Sequence, residues 1–485
     1  AAADTAGLHL QLNDIFANPT IATQATHTTQ TTITADQGIA TGATLMTPNQ
    51  EWFLEQDLPD RHHWNDASFL LSLQQPLDIT ALRRAAAHLI EHHDALRLRF
   101  EETPQGWQAC LAEPGPGNEV PLSVHTFPDL SVKEQKEAVT ETCQTLQRTM
   151  DLAQGPVIRL AYFDLGVRPH CLLVLGHWLA VDHYSARILL EDLLSAYAQC
   201  TQTDQPPQLP AKTTSFPQWT AALNEHARSP LTQAEREFWT SRPTGQPLVI
   251  DRPHEPNRLE DLKTLTLRLD LDLTQAVLQD IPAATGADIL DVLCTTLVRA
   301  LPLDGDAEQR ETLVDLERHG RDISIPGLSV SRTVGRLSTI TPTLISVSAR
   351  EADASQLKST HTQLESVPQR GMGYGLLRYT AKDPAVRATP TAQVGLNYVG
   401  QVDEVFLRSD LLSVPRMSFG DQHSSTGTRF RDLDVLGYVV GRRLTFTIGY
   451  SAARFDDTTI GSFTDQFTAQ LSAIADSAHT GRVIE

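Results

Sequence analysis

Cysteine is scarce in this chain, with five thiols in 485 residues, at Cys110, Cys143, Cys171, Cys200 and Cys294. Their number is odd and none falls in CxxC spacing, which argues against a disulfide framework and a thiolate zinc site and predicts a reducing, cytoplasmic compartment. Long apolar runs are missing too. No stretch reaches the roughly 18 residues needed to span a bilayer, and the start lacks the charged-then-apolar layout of a secretion signal, so no membrane partner is expected. Basic residues are in deficit: 39 Lys and Arg against 59 Asp and Glu leave a formal charge of -20. Phosphate backbones need a basic face, which excludes nucleic acid; a basic protein patch or a neutral tethered substrate fits better. No initiating Met is present, and the expectation is a segment of something longer.

What is present reads as a soluble α/β protein of two or more globular units. Thr23 to Ala35 is rich in Thr, Gln and Ala without an apolar period, the composition of a flexible linker. Thr47 before Pro48 predicts a helix N-cap and first turn. Leu82, Ala85, Ala86, Leu89 and Ile90 recur at three and four, so Ile79 to Ala95 is an amphipathic helix. A strand from Ala95 to Phe100, a helix from Val132 to Leu152, and strands at Ile158 to Phe163 and Cys171 to Leu175 follow, then a helix from Tyr184 to Gln199. Thr203 to Pro217 is Pro-rich and polar, a natural boundary. Beyond it strands and helices are expected to alternate again: Thr264 to Leu269, Leu273 to Ile281, Ile289 to Leu301, and a last helix near Ser462 to Ala475.

The stretch LVLGHWLAVDH, Leu173 to His183, carries the most information. A buried strand runs into a polar turn with a histidine and an aspartate and then into a helix, a placement suited to chemistry. It resembles the HHxxxDG signature of the condensation superfamily of nonribosomal peptide synthetases, with His177 as the first histidine and Asp182 as the aspartate. Trp178 stands where the second histidine belongs and His183 where the glycine belongs. LMTP (Leu45 to Pro48), WFLEQDLP (Trp52 to Pro59), HWN (His63 to Asn65), HHDALRLRF (His92 to Phe100) and Gly155 with Pro156 fit further landmarks of that family. DLERHGR (Asp315 to Arg321) and SRTVG (Ser331 to Gly335) resemble the EGHGR and SRTVGW motifs of epimerization domains, and GMGYGLLRY (Gly371 to Tyr379) and NYVGQ (Asn397 to Gln401) complete the set. The segment LHLQLNDIF, Leu8 to Phe16, followed by Ala17 to Ile21, resembles the end of a carrier domain.

The resemblance implies two chloramphenicol-acetyltransferase-like lobes in a V shape around a central tunnel. It divides the chain into a carrier remnant (1–27), a linker (28–40), an N-terminal lobe (41–217) and a C-terminal lobe (218–485). It also implies that no cofactor is bound by the domain itself and that substrate arrives on the 4'-phosphopantetheine arm of a carrier domain of the same synthetase. Family epimerization domains invert the α-carbon of a tethered thioester, which needs an acid on one face of the carbanion and a base on the other. The second histidine of HHxxxDG and the glutamate of EGHGR resemble those groups. Here Glu317 matches the glutamate, but Trp178 carries an indole, a donor with no lone pair to accept a proton.

Other departures gather at the same centre. Arg318 stands beside Glu317 where the family has glycine, and a cation there would weaken the carboxylate as a base; Arg336 stands where SRTVGW has Trp. His183, Arg318, Arg336, Tyr374, Asn397 and Tyr398 are the candidate tunnel-lining residues, and Glu317 is the candidate residual base. His177 reads as a structural, hydrogen-bonded histidine, and Asp182 as an internal ion pair with Arg187 or Arg321. His92, His93 and Asp94 read as a helix C-terminus, Trp52 and Trp64 as core, and His62 with His63 lacks a third ligand, so no metal is expected. The leading expectation is a catalytically impaired platform that recruits a trans-acting tailoring enzyme, such as a cytochrome P450 oxygenase, to the tethered peptide. The alternatives are an epimerase using Glu317 with a substitute donor such as Tyr398, His183 or water, and, lower, a peptide-bond-forming condensation domain.

Overall fold

The computed structural model describes residues 35–481 apart from 66, 116–120, 306–307, 324, 349, 403–410 and 414–416, and it is a mixed α/β fold built on three sheets. The linker at 28–34 and the carrier-like segment at 1–27 lie outside the described residues. In chain order the strands are β1 (Gly42–Thr44), β2 (Phe69–Leu73), β3 (Leu98–Thr103), β4 (Gly106–Leu111), β5 (Leu122–Thr126), β6 (Ile158–Asp164), β7 (Cys171–Gly176), β8 (Leu262–Arg268), β9 (Gln309–Arg318), β10 (Thr339–Ser348), β11 (Val394–Gln401), β12 (Leu412–Ser413), β13 (Leu433–Val440) and β14 (Arg443–Ser451). The helices that matter here are α1 (Pro48–Leu54), α2 (Ile79–His92), α3 (Val132–Arg148), α4 (His183–Gln202), α5 (Phe216–His226), α6 (Ile289–Ala300) and α7 (Asp457–Gly481). Among the described residues no single helix is long and apolar enough to cross a membrane. The five cysteines are free thiols, four of them buried.

Local chemistry sets the helix ends. Thr47 caps α1 with a full capping box, its side chain accepting from the Gln50 backbone while Gln50 reaches back. Helix α2 stops at His92, short of Ala95, because Asp94–Arg97 tightens into a 3₁₀ turn. The buried Arg97 guanidinium holds that turn through Asp94 (2.7 Å) and the carbonyls of Ile90, Ala40 and Ala112. Helix α3 ends at Arg148 rather than Leu152, where the Asp151 side chain accepts from the backbones of Ala153 and Gln154 and turns the chain.

The first half carries a sheet in the order β12-β2-β7-β6-β5 and a small sheet β1-β4-β3. Strand β7 is buried at every residue, as expected of a central strand covered on both faces. The second half carries one sheet in the order β10-β9-β11-β13-β14-β8. It is not the simple strand–helix alternation read from the sequence: β9 with β10, β13 with β14 and β14 with β8 pair antiparallel, and only the β9–β11 and β11–β13 pairs are parallel. Leu273 to Ile281 lies in a helical run with a π turn over Ala276–Asp280.

Alternation along this second sheet decides the site. Val314, Leu316, Val394, Leu396, Val435, Phe446 and Ile448 face a core closed by α6 and α7. Asp315, Glu317 and Asn397 therefore share the opposite, half-buried face. The halves interlock. Strand β12 adds to the first-half sheet, pairing Leu412 with Leu73, and Val330, Val334, Leu337, Met372 and Leu376 belong to the first-half core.

Candidate functional site

The turn between β7 and α4 is fixed from inside. His177 is fully buried; its Nδ1 accepts from the Leu179 backbone (3.1 Å), so Nε2 carries the proton and donates to the Arg61 carbonyl (2.8 Å). Burial lowers its pKa to about 4, keeping the ring neutral. Both ring nitrogens are engaged in holding the turn.

Asp182 caps α4 by accepting from the Ser185 backbone at 2.7 Å. It also takes a two-pronged pair from Arg321 (2.9 and 3.1 Å) and the Leu337 backbone N–H (3.0 Å). Burial pushes its pKa up, but the Arg321 charge and these hydrogen bonds outweigh it and hold the carboxyl below its usual value. Of the two expected partners, Arg321 is the one used; Arg187 pairs with Glu191 at 3.1 Å. Arg321 lies 4.4 Å over the Tyr184 ring and donates to Ser185 Oγ and the Thr333 carbonyl. Asp182 thus ties the β7 turn to the Ser331–Gly335 loop.

Between these anchors the expected acid–base centre is filled by a stack. The buried Trp178 indole lies against Phe53 (4.6 Å, 21°) and Trp52 (5.7 Å). The Arg336 guanidinium covers its face at 3.6 Å and donates to Glu317 Oε1 at 2.8 Å. Arg336 is 3% exposed and Glu317 19%. Glu317 is therefore an ion-paired carboxylate, and opposite it stands an aromatic–cation layer that cannot accept a proton.

The structure redistributes the remaining candidates. Arg318 follows Glu317 on a strand, so it points to the opposite face, near Cys294 on α6, and the cation acting on Glu317 is Arg336. Tyr398 also faces the α6–α7 core, its ring packing over Gly437, so it does not share Glu317's face as a substitute donor would. Asn397 does share it, in register with Glu317 on the adjacent strand. Tyr374 sits apart, in a small cluster with Trp239, Val367, Leu377 and Val386. His183 opens α4 half-buried. His92 ends α2, and His93 Nε2 donates to the Asp192 carboxylate at 2.9 Å. His92, His93 and Asp192 do come within ligand distance of one another, but Arg332 already pairs with Asp192, and its charge opposes a metal cation there.

Trp64 is buried in the first-half core and Trp52 packs against it, as expected, and Trp52 also reaches Trp178, Phe430 (4.7 Å) and the Arg431 guanidinium (6.0 Å). Arg431 pairs with Asp315, two residues before Glu317 on the same face, at 2.8 Å. The alternation of Asp315 and Glu317 with Val314 and Leu316 was the available signal for that face.

The buried strand thus ends in a capped histidine–aspartate turn tied to the Glu317 strand of the second sheet through Arg321 and Arg336, and the comparisons give this arrangement its class. The family model described as Condensation domain matches residues 41–481. The chain belongs to this family. It is 36% identical over 97% of its length to a linear gramicidin synthase of Brevibacillus parabrevis, and 36% identical over 93% to a chondramide synthase of Chondromyces crocatus. It spans only 6% and 12% of those two proteins. The epimerization domain from the third module of tyrocidine synthetase B superposes with a TM-score of 0.83 at 27% identity, covering 92% of this chain and 99% of that one. The X-domain from teicoplanin biosynthesis shares the fold, with a TM-score of 0.68 at 19% identity over 89% of this chain and 95% of its own.

Proposed function

We propose that this condensation-family domain is an epimerization-type scaffold that has given up proton transfer and serves as a docking platform. It receives a peptidyl chain on the 4'-phosphopantetheine arm of a carrier domain, binds no cofactor of its own, and presents the chain to a trans-acting tailoring enzyme of the cytochrome P450 type. The observation that carries the reading is the Trp178–Arg336–Glu317 stack. Inversion needs proton acceptors and donors on two faces; here one face is an indole under a guanidinium and the other a carboxylate neutralised by that same guanidinium. A related X-domain is known in complex with OxyB, which supports an interface role for this fold.

The test loads the adjoining carrier with an L-aminoacyl group in deuterated water. The wild-type domain is expected to give neither α-deuterium uptake nor D-product. A domain that still epimerises would give both, dependent on Glu317, and would refute the platform. Titration against the oxygenases encoded beside the synthetase tests the second half of the reading, and no binding by any of them would refute recruitment of this class.

A further inference from the structure

Beyond α5 the chain runs through two short helices, Pro230–Ala234 and Arg236–Thr240, and on to Arg242. The backbone stays helical through the joint at Glu235 (φ -75°, ψ -13°), so Leu231, Phe238 and Arg242 fall two and three turns apart on one line, about 16 Å long. That line borders the buried side: Trp239 is in the cluster with Tyr374 and Leu377, and Phe238 packs against it, while Leu231 is left 59% exposed. At the end of the line Arg242 is a half-buried cation without a counter-charge. Its guanidinium lies over the rings of Phe238 (5.1 Å) and Trp239 (5.3 Å), and Nη1 donates to the Pro342 carbonyl at 2.6 Å. Among the described residues no carboxylate pairs with it, whereas its neighbour Arg236 pairs with Asp383 at 2.8 Å. Burial pushes its pKa down to about 10, with Tyr374 acting the other way, so it stays charged at neutral pH.

We infer that Leu231, Phe238 and Arg242 form the docking face for the recruited tailoring enzyme, with an Asp or Glu carboxylate of that partner seated on Arg242 and apolar side chains beside it on Phe238 and Leu231. The inference rests on the recruitment reading given above and adds where, and by what chemistry, the partner binds. A partly desolvated cation without a counter-charge costs the fold free energy, and a carboxylate from outside offsets that cost with a two-pronged, charge-assisted pair. Arginine beside aromatic rings is also the composition that carries binding energy in protein interfaces. The rest of the molecule selects the occupant. A formal charge of -20 repels nucleic acid and anionic lipid, but a single carboxylate on an otherwise neutral or basic protein surface escapes that repulsion. A small free anion could meet Arg242 but not Leu231 at the other end of the line, so an occupant of the whole face is protein-sized.

The probes are the oxygenases encoded beside the synthetase, titrated calorimetrically into the whole domain. The wild-type domain is expected to bind one of them, and Arg242→Gln to weaken that binding at least about thirtyfold, the scale of removing one partner of a desolvated, hydrogen-bonded charge pair. Arg242→Lys keeps the charge without the planar fork and should fall between the two. Leu231→Asp, at an exposed side chain, should weaken binding at least about tenfold by setting a second carboxylate against that of the partner. Replacing the acidic residues of the bound partner one at a time should reveal one whose loss is not additive with Arg242→Gln. Unchanged binding by either an Arg242→Gln or a Leu231→Asp domain that keeps the wild-type melting temperature overturns the inference and leaves the platform reading standing. If Arg242→Gln unfolds, Leu231→Asp alone decides. No binding by the wild-type domain sinks the recruitment reading itself, and this inference with it.

Discussion

The Arg336–Glu317 pair gives a quantitative handle on the rebuilt centre, because its two charges are buried to different depths. Arg336 is 3% exposed and also covers Trp178 at 3.6 Å, while Glu317 is 19% exposed. Removing one partner of a buried pair strands the other, at a typical cost of about 3–5 kcal/mol. Glu317→Met strands the deeper charge, left with the indole face and the field of the Asp182 carboxylate, so the lower part of that range, about 3–4 kcal/mol, applies. Arg336→Met strands the shallower charge, which water can reach, and the methionine still packs on the indole, so its cost falls to about 2–3 kcal/mol. The double variant replaces the pair by apolar side chains and should cost less than either single change. Urea unfolding followed by tryptophan fluorescence, checked for coincidence with circular dichroism, measures all three. A Glu317→Met cost below that of Arg336→Met, or strictly additive effects in the double variant, would refute the idea that the two form one buried unit.

Two further expectations concern stability. The His177 pKa of about 4 lies below the unfolded value of about 6.5, so below pH 6.5 the unfolded chain takes up a proton that the fold refuses. Its contribution is complete above pH 6.5 and declines by about 3 kcal/mol as pH falls to 4; His92, also lowered to about 4 by burial, acts in the same direction. The urea midpoint should drop between pH 7 and pH 5, with a shallower slope in His177→Asn; an unchanged midpoint contradicts the assignment. Gly320 has φ +68°, and a Cβ there would lie 1.9 Å from the Leu337 carbonyl oxygen. Gly320→Ala should cost about 2–4 kcal/mol in thermal unfolding, and a wild-type melting temperature would refute the close approach of the two loops.

Periodic patterns made much of this molecule readable in advance. The apolar spacing of 79–90 located α2, and the continuous apolar run of 171–175 located β7. Thr47–Pro48 marked the start of α1. Where the reading stopped short, a specific side chain intervened: Arg97 pulled the end of α2 into a 3₁₀ turn, and Asp151 ended α3. The roles given to Arg318 and Tyr398 fell to a two-residue period, since each shares a strand face with core residues such as Leu316 and Leu396. That period was legible in the sequence. The return of β12 to the first-half sheet was not, because pairing Leu412 with Leu73 joins segments far apart in the chain with no local signature.

The sequence by itself determined that Trp178 cannot accept a proton, that Glu317 lies in an epimerization-like motif, and that His177 and Asp182 fall in a turn between a buried strand and a helix. These are properties of residue type and local period. Only the tertiary structure decided that Arg321 rather than Arg187 neutralises Asp182, and that Arg336 covers Trp178 and holds Glu317. The Asp182–Arg321 and Trp178–Arg336 contacts join segments more than a hundred residues apart, where burial and Coulomb attraction select among partners that sequence spacing leaves equivalent.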